Sequence, residues 1–489
     1  MGRVRSEKLR RFYGKDQICE SLDYDFDESD VVLGLDFGTS FSKVVIQDNA
    51  LQKAYAVSFE DIDRGKETYL LPTRLFVTEE GLLSLSSGFD FYIDFKTAVM
   101  EMAGRKISSV MNKLESFAPT ELATAYLALL IRYARSWFLV HTESVYRKTL
   151  INWDLNIGIA SKNYRTSKER VFRTIAFAAW KLSRSSEPLT MAMVQNTLAE
   201  AVIHMAAEIL FKIIGKNARK KDFGAQWLHT ENVQVHPEVI AEVAGYVHSP
   251  MRRNGMHFLV DIGGSTVDMA TFMIHENDGD NHYPILATDV VKYGTMMLHK
   301  NRMNHLKEEY GVDLFASQFF EDHFPGSEYY ADLLRRKGFV FFEEDDFIEK
   351  MNKSDMQFWK QCSAKIGELI KYTYKDRYGY APEWKKGLPV FICGGGARVV
   401  LYRDGIHERG ERIAANGMGK FHVYSIPVPS GFKEQGLVPK EYERLAVAYG
   451  LSFTSENIGK IIPQSQVKDM PRRSVFQERD SDFIGKEYC

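Results

Sequence analysis

Apolar and polar positions fall into a few recurring patterns along the chain. Val31-Val32-Leu33-Gly34-Leu35 is an apolar run that enters a short turn, Asp36-Phe37-Gly38-Thr39-Ser40, and a β-branched run, Val44-Val45-Ile46, leaves it. Two apolar runs around a polar, glycine-containing turn predict a β-hairpin with a polar tip. The pattern recurs roughly 225 residues later: Phe258-Leu259-Val260 runs into Asp261, then Gly263-Gly264-Ser265-Thr266, then Val267-Asp268-Met269-Ala270-Thr271-Phe272. A third apolar run, Leu388-Pro389-Val390-Phe391-Ile392-Cys393, predicts a strand that ends in Gly394-Gly395-Gly396 and Arg398.

Elsewhere the period lengthens to that of helices. Pro119-Thr120-Glu121 opens a capped helix over 119–140, and the strand Leu155–Ala160 leads through a polar loop into a helix that runs to Leu182. Helical spacing continues from Thr190 to Ile214, and residues 296–387 read as largely helical and charged. Residues 44–105 read as β-rich, and Asp278-Gly279 between Ile274 and Ile285 marks a further hairpin. Val239–Tyr246 and Arg444–Leu451 are helical and rich in small residues. Gly245 and Ala448 either let these two helices approach closely or simply fit the packing.

The hairpin tips carry the candidate chemistry. Gly38 lets backbone N–H groups come close to a bound group, Thr39 and Ser40 add hydroxyl donors, Asp36 places a carboxylate at the strand end, and Lys43 follows the turn. Such a tip suits a phosphate and a hydrated Mg²⁺. Asp261, Gly263, Gly264, Ser265 and Thr266 offer the same set again, with Asp268 just beyond. At the third site the three glycines permit close approach, and the Arg398 guanidinium can stack on a planar base.

These three elements, in this order and spacing, resemble the phosphate-1, phosphate-2 and adenosine motifs of the actin, heat-shock chaperone and sugar-kinase ATPase superfamily. Within it the chain is most similar to the nucleotide-binding domain of the 70-kDa heat-shock (DnaK-type) chaperones, over roughly residues 31–457. The resemblance implies an α/β protein with a duplicated ribonuclease-H-like (actin-like ATPase) fold, two lobes facing each other across a nucleotide cleft. It implies lobe I at 31–256 with 440–457 returning to it, lobe II at 257–439, a charged arm at 1–30 and a tail at 458–489. Peptide-binding and lid domains are not expected in that short, Pro- and charge-rich tail.

The resemblance further implies ATP and Mg²⁺ as ligands, Asp36 and Asp261 holding the metal through water, and Asp268 orienting the attacking water. Lys96 lines up with the chaperone Lys that reaches the γ-phosphate, or is a snorkelling surface residue between aromatics. Around Pro237 the order departs from the family: His236 stands where the chaperones have Glu, and Glu238 follows the Pro. Glu238 either reaches the same water or favours the positive end of its helix. Only Gly294 remains of a Leu-Gly-Gly helix start that touches the phosphates, and Lys365 lies in a segment resembling the helix that packs on the adenine, although a single Lys on a helix is more often a solvated residue.

Composition narrows this picture. The chain has 489 residues, 45% hydrophobic and 26% charged, with a net charge of −2, which supplies ample core for two domains and no nucleic-acid signature. Its most apolar stretch, Leu122–Val140, is interrupted by Arg132 and Arg135 and predicts an amphipathic helix, not a membrane span. Four cysteines without CxxC spacing suit a reducing cytoplasm. The first 30 residues divide into a basic and an acidic half, a solvated arm, and Met1–Ser6 fits the short, common myristoylation pattern. The expected function is a Mg²⁺-dependent ATPase, chaperone-like, switching conformation to act on a protein partner. An actin-like filament-forming ATPase is the alternative, and a small-molecule kinase, which needs a further Asp aimed at a substrate hydroxyl, is the third.

Overall fold

The computed structural model describes residues 27–468 except 63–67, 103, 148, 215–231, 312–325, 337, 339–343 and 434–438. The basic half of the N-terminal arm, the myristoylation pattern, Cys19, Cys489 and the last part of the tail lie outside the described residues.

The protein is α/β, built on two mixed sheets. Strands β1 (Asp27–Asp36), β2 (Phe41–Asp48) and β3 (Lys53–Ala56) form an antiparallel meander, and β8 (Thr149–Ile159) and β9 (Val233–Pro237) add in parallel beside β1, giving the order β3-β2-β1-β8-β9. Between β3 and β8, the short strand β4 (Leu71–Pro72) pairs with β2, and β5 (Leu75–Val77), β6 (Leu83–Ser84) and β7 (Asp90–Tyr92) make a small sheet of their own. The second large sheet repeats the plan. Strands β10 (Gly255–Ile262), β11 (Val267–Asn277) and β12 (Asp280–Val291) form the meander, and β13 (Leu388–Cys393) and β14 (Phe421–Tyr424) add in parallel beside β10. A last strand, β15 (Lys460–Ile462), pairs with the outer edge of β12.

Ten helices carry the rest of the account: α1 (Phe95–Met100), α2 (Pro119–His141), α3 (Ser167–Ser183), α4 (Met191–Ile214), α5 (Glu238–Val247), α6 (Thr295–Tyr310), α7 (Ser327–Arg336), α8 (Glu344–Tyr372), α9 (Val400–Ala415) and α10 (Pro439–Leu451). Alternation along the strands decides the layering. Val31, Leu33 and Leu35 face α2 and α3, whereas Gly34 faces α10, where a methyl group would lie 2.2 Å from Ala448 O. Likewise Phe258, Val260 and Ile262 face α8 and α9, whereas Leu259 joins the core around α5 and α10. Both central strands are therefore buried on both sides, which explains their near-continuous apolar runs. Helices α5 and α10 form a middle layer between the two sheets.

Most sequence expectations for elements hold, with local corrections. Asp27–Asp30 belong to β1, paired with Thr149–Asn152 of β8, so the acidic end of the expected arm is strand. Residues 460–468 are not a free tail: β15 pairs with β12, and the Arg377 guanidinium donates to Gln464 O and Val467 O at 2.9 Å each. The β-rich stretch ends in a helix, α1, that carries Lys96. Helix α2 starts as expected because Glu121 Oε2 accepts from Ala118 N at 2.8 Å, satisfying an amide the helix leaves orphaned. Asp278 and Gly279 both adopt positive φ, 54° and 86°, the geometry of a tight two-residue hairpin turn.

Candidate functional site

The two hairpin tips meet. In the first, β1 and β2 pair with Asp36 opposite Lys43, and Lys43 Nζ donates to Asp36 Oδ2 at 2.7 Å. A methyl group on Gly38 would lie 2.0 Å from Phe41 O, so the turn closes this tightly only with glycine. Thr73, beside β4, holds the turn from behind: its hydroxyl donates to Gly38 O at 2.8 Å and its N–H to Ser40 O at 2.9 Å. In the second tip β10 and β11 set Asp261 opposite Asp268, and Gly263 N–H closes the turn onto Thr266 O at 2.9 Å. Gly264 faces the first tip, where a methyl group would fall 2.4 Å from Ser40 Oγ.

A cleft of about 240 Å³ runs between the tips to the end of β13. Of the residues expected there, Asp36, Gly38, Thr39, Ser40, Lys43, Lys96, Glu238, Asp261, Gly263, Gly264, Ser265, Thr266, Asp268, Gly394, Gly395, Gly396 and Arg398 all line it. The three glycines differ in use. Gly394 has φ +77°, and a methyl group there would lie 2.1 Å from Asp261 Oδ1; Gly396 packs against Ile262 and Thr295; only Gly395 has open space where a side chain would stand.

Two expected residues are elsewhere. Lys365 stands on the exposed face of α8 and pairs with Glu368 at 2.8 Å, so it is a solvated residue and not part of the cleft. Gly294 is buried behind the second tip: its N–H donates to Ser265 O at 3.2 Å, and a methyl group would lie 2.5 Å from Gly264 O. Thr295 and Met296, at the start of α6, reach the cleft instead.

Electrostatically the site is crowded with acid. Asp36, Glu238, Glu242 and Asp268 are buried, and Asp261 lines the cleft beside them. Burial raises the Asp261 carboxyl to about 7, helped by the negative charges of Glu238 and Asp36. Burial also raises Glu238, although Lys96, 3.5 Å away, pulls the other way. Glu242 and Asp268 lie well above the usual carboxylate range, first through burial and then through neighbouring acids, Asp261 for Glu242 and Glu238 for Asp268. For Lys96 burial disfavours the charge, but Glu238, Asp36 and Asp268 outweigh it and the ammonium is held charged. Lys96 Nζ also sits 5.6 Å from the Phe37 ring centre. Thr266 Oγ1 donates to Asp268 Oδ2 at 2.9 Å, leaving Asp268 Oδ1 buried without a hydrogen-bond partner.

Glu238 takes its position because it is the first residue of α5, immediately after Pro237. His236 is buried in β9 outside the cleft, and burial lowers it to about 4, so it is neutral. Sequence reasoning missed Glu242, whose position one turn beyond Glu238 puts it on the same helix face. It also missed Thr73, and Glu443 and Arg444 of α10, which line the cleft near Arg398. Arg398 Nε lies 3.9 Å from Glu443 Oε2.

Among the described residues, no three His, Cys, Asp or Glu side chains converge as direct ligands of a metal ion. The acid cluster nonetheless fits a hydrated divalent cation: its carboxylates repel one another, and Asp268 Oδ1 and Glu242 Oε2 lack hydrogen-bond partners. Asp36 and Asp261 would hold such an ion through water. Among the described residues no helix is long and apolar enough to cross a membrane. Compared with known proteins, the chain matches no family model and no curated sequence.

Proposed function

We propose that the chain is a Mg²⁺-dependent ATPase with a duplicated ribonuclease-H-like fold, in which the nucleotide switches the relation of two lobes and thereby acts on a protein partner. The observation that carries this reading is the meeting of the two tips, Ser40 against Gly264, with Asp36 and Asp261 facing one cleft. The recurrence of one strand order in both sheets supports the duplicated fold.

In this reading the tips at 38–40 and 263–266 grip the phosphates through backbone N–H groups and hydroxyls. Mg²⁺, when bound, neutralises charge on the transferring phosphoryl group. Asp268, with one oxygen held by Thr266 and the other unpartnered, orients the water that attacks. Lys96, kept charged by its acid neighbours, balances charge developing on the γ-phosphate. Positioning and charge neutralisation suffice for phosphoryl transfer to water. Because the two tips belong to different sheets, a γ-phosphate that touches both favours the closed arrangement through its differential affinity.

Thermal-shift titration with ATP, ADP and GTP, each with and without Mg²⁺, tests the reading. Mg²⁺-dependent stabilisation by adenine nucleotides is the expected result. No stabilisation by either adenine nucleotide overturns it.

A further inference from the structure

Beyond the acid cluster, away from the three glycines, the cleft opens into a second and larger cavity of about 850 Å³. Its walls come from both sheets' surroundings: α1 and residues 105–108, the end of β8 with the loop after it and the first turns of α3, the end of β12, and α6. The two spaces share Thr39, Lys96, Glu238, Ser265, Thr266 and Asp268 as a common wall.

Apart from Lys96, six basic side chains line this cavity: Arg105, Lys106, Lys162, Lys168, Lys292 and Lys300. Lys162 pairs with Asp289 at 2.7 Å, and Lys292 pairs with Glu101. Arg105, Lys106, Lys168 and Lys300 have no carboxylate partner within 4.0 Å among the described residues. A run of lysines along one exposed helix face is ordinarily just solvated, but these come from separate segments that the fold gathers round one concavity. The chain as a whole has a net charge of −2, so the concentration is local. Asp94, Glu101, Glu238 and Asp268 also line the cavity, so with Lys96 its basic groups outnumber its acids seven to four; an excess of one sign on a concave wall focuses the field and raises the local concentration of counter-charge.

We propose that this cavity binds a small polyanion carrying several phosphate or sulfate groups. The charges ring one space and do not track along a groove, which favours a compact ligand over a nucleic-acid strand. Arg105, Lys106 and Lys168 stand on the side of the first sheet, and Lys292 and Lys300 on the side of the second. A ligand that bridges them draws the two sides together and favours the closed arrangement by its differential affinity.

Isothermal titration of the full chain with inositol hexakisphosphate tests the proposal, with Lys168→Glu and Lys300→Glu as variants on opposite walls. Both lysines lie outside the acid cluster, and circular dichroism with a thermal midpoint verifies that each variant is folded. One-to-one binding is expected in the wild type, weakened by added salt and by about tenfold or more in each variant, the scale of one lost charge-assisted contact. Equal binding by wild type and both variants overturns the proposal. So does full competition by ADP, which would place the probe in the first cleft, or tighter binding by a single-stranded oligonucleotide that displaces it. The titration is independent of the nucleotide reading, since a failure of ADP to bind leaves these outcomes readable.

Discussion

Replacing Gly450 with Ala probes the closest approach between the two middle-layer helices. A methyl group there would lie 1.7 Å from Ala241 O and 2.4 Å from Ala241 C. Contact distances between non-bonded heavy atoms are about 3.5–4.0 Å, so α10 and α5 must separate by roughly 1.5–2 Å. The obstacle is helix backbone, which cannot swing away, and overpacking of this kind costs about 1–3 kcal/mol. Against this, Ala in a helix interior gains about 0.8–1.0 kcal/mol over Gly, and less near a helix end such as this one. The clash wins, and Gly450→Ala should lose about 1–2 kcal/mol. At Gly245 the balance reverses. There the methyl would meet Tyr442 Oη at 2.2 Å, the far end of a side chain, with the next atom at 3.4 Å, so a modest tilt of the ring offsets most of the contact. Gly245→Ala should therefore be close to neutral. Urea unfolding followed by circular dichroism measures both, with the midpoint and slope fitted separately. A Gly450→Ala protein as stable as Gly245→Ala would refute the packing argument.

Asp36→Asn and Asp261→Asn should each lower Mg²⁺-dependent ATP turnover by roughly 10²-fold or more while leaving ADP affinity within a fewfold, and Lys96→Ala should act likewise; steady-state turnover beside ADP titration measures both, and undiminished turnover in both Asp variants would make these carboxylates structural. The acid cluster also sets a pH dependence in the metal-free protein. The Asp261 carboxyl, raised from 3.8 to about 7, keeps a proton in the folded state that the unfolded chain has released, so its contribution to stability falls as pH rises through that window. The stability of Asp261→Asn relative to wild type should therefore increase between these limits, by up to about 1.4 kcal/mol per pH unit. His236 and His257, lowered to about 4 by burial, titrate in the same range but cancel in the difference. Denaturation in a chelator across that range is the assay, and a difference that does not change with pH contradicts it.

Much of the candidate site was legible because its information is local. Asp36 with Gly38-Thr39-Ser40, and Asp261 with Gly263–Thr266, are contiguous turns, and a hairpin tip needs only its own residues to expose hydroxyls and amides. Glu242 and Thr73 were not legible in this way. Each acts through a partner distant in sequence: Glu242 faces Asp261 and Cys393 across the cleft, and Thr73 donates to Gly38 O. Lys365 misled for the complementary reason, since one lysine on an amphipathic helix carries no sign of which neighbour it will meet.

The sequence by itself determined the strands, their tips and most of the helices, because the period of apolar positions and the special torsions of glycine and proline act over a few residues. Tertiary structure alone decided that the two tips face each other, that Gly450 and not Gly245 marks the closest helix approach, and that Gly294 lies behind a tip instead of in the cleft. It also gathered Arg105, Lys168 and Lys300 round one cavity. Each of these depends on which surfaces pack together across tens to hundreds of residues of chain, and burial of apolar area, which drives that packing, is blind to sequence distance.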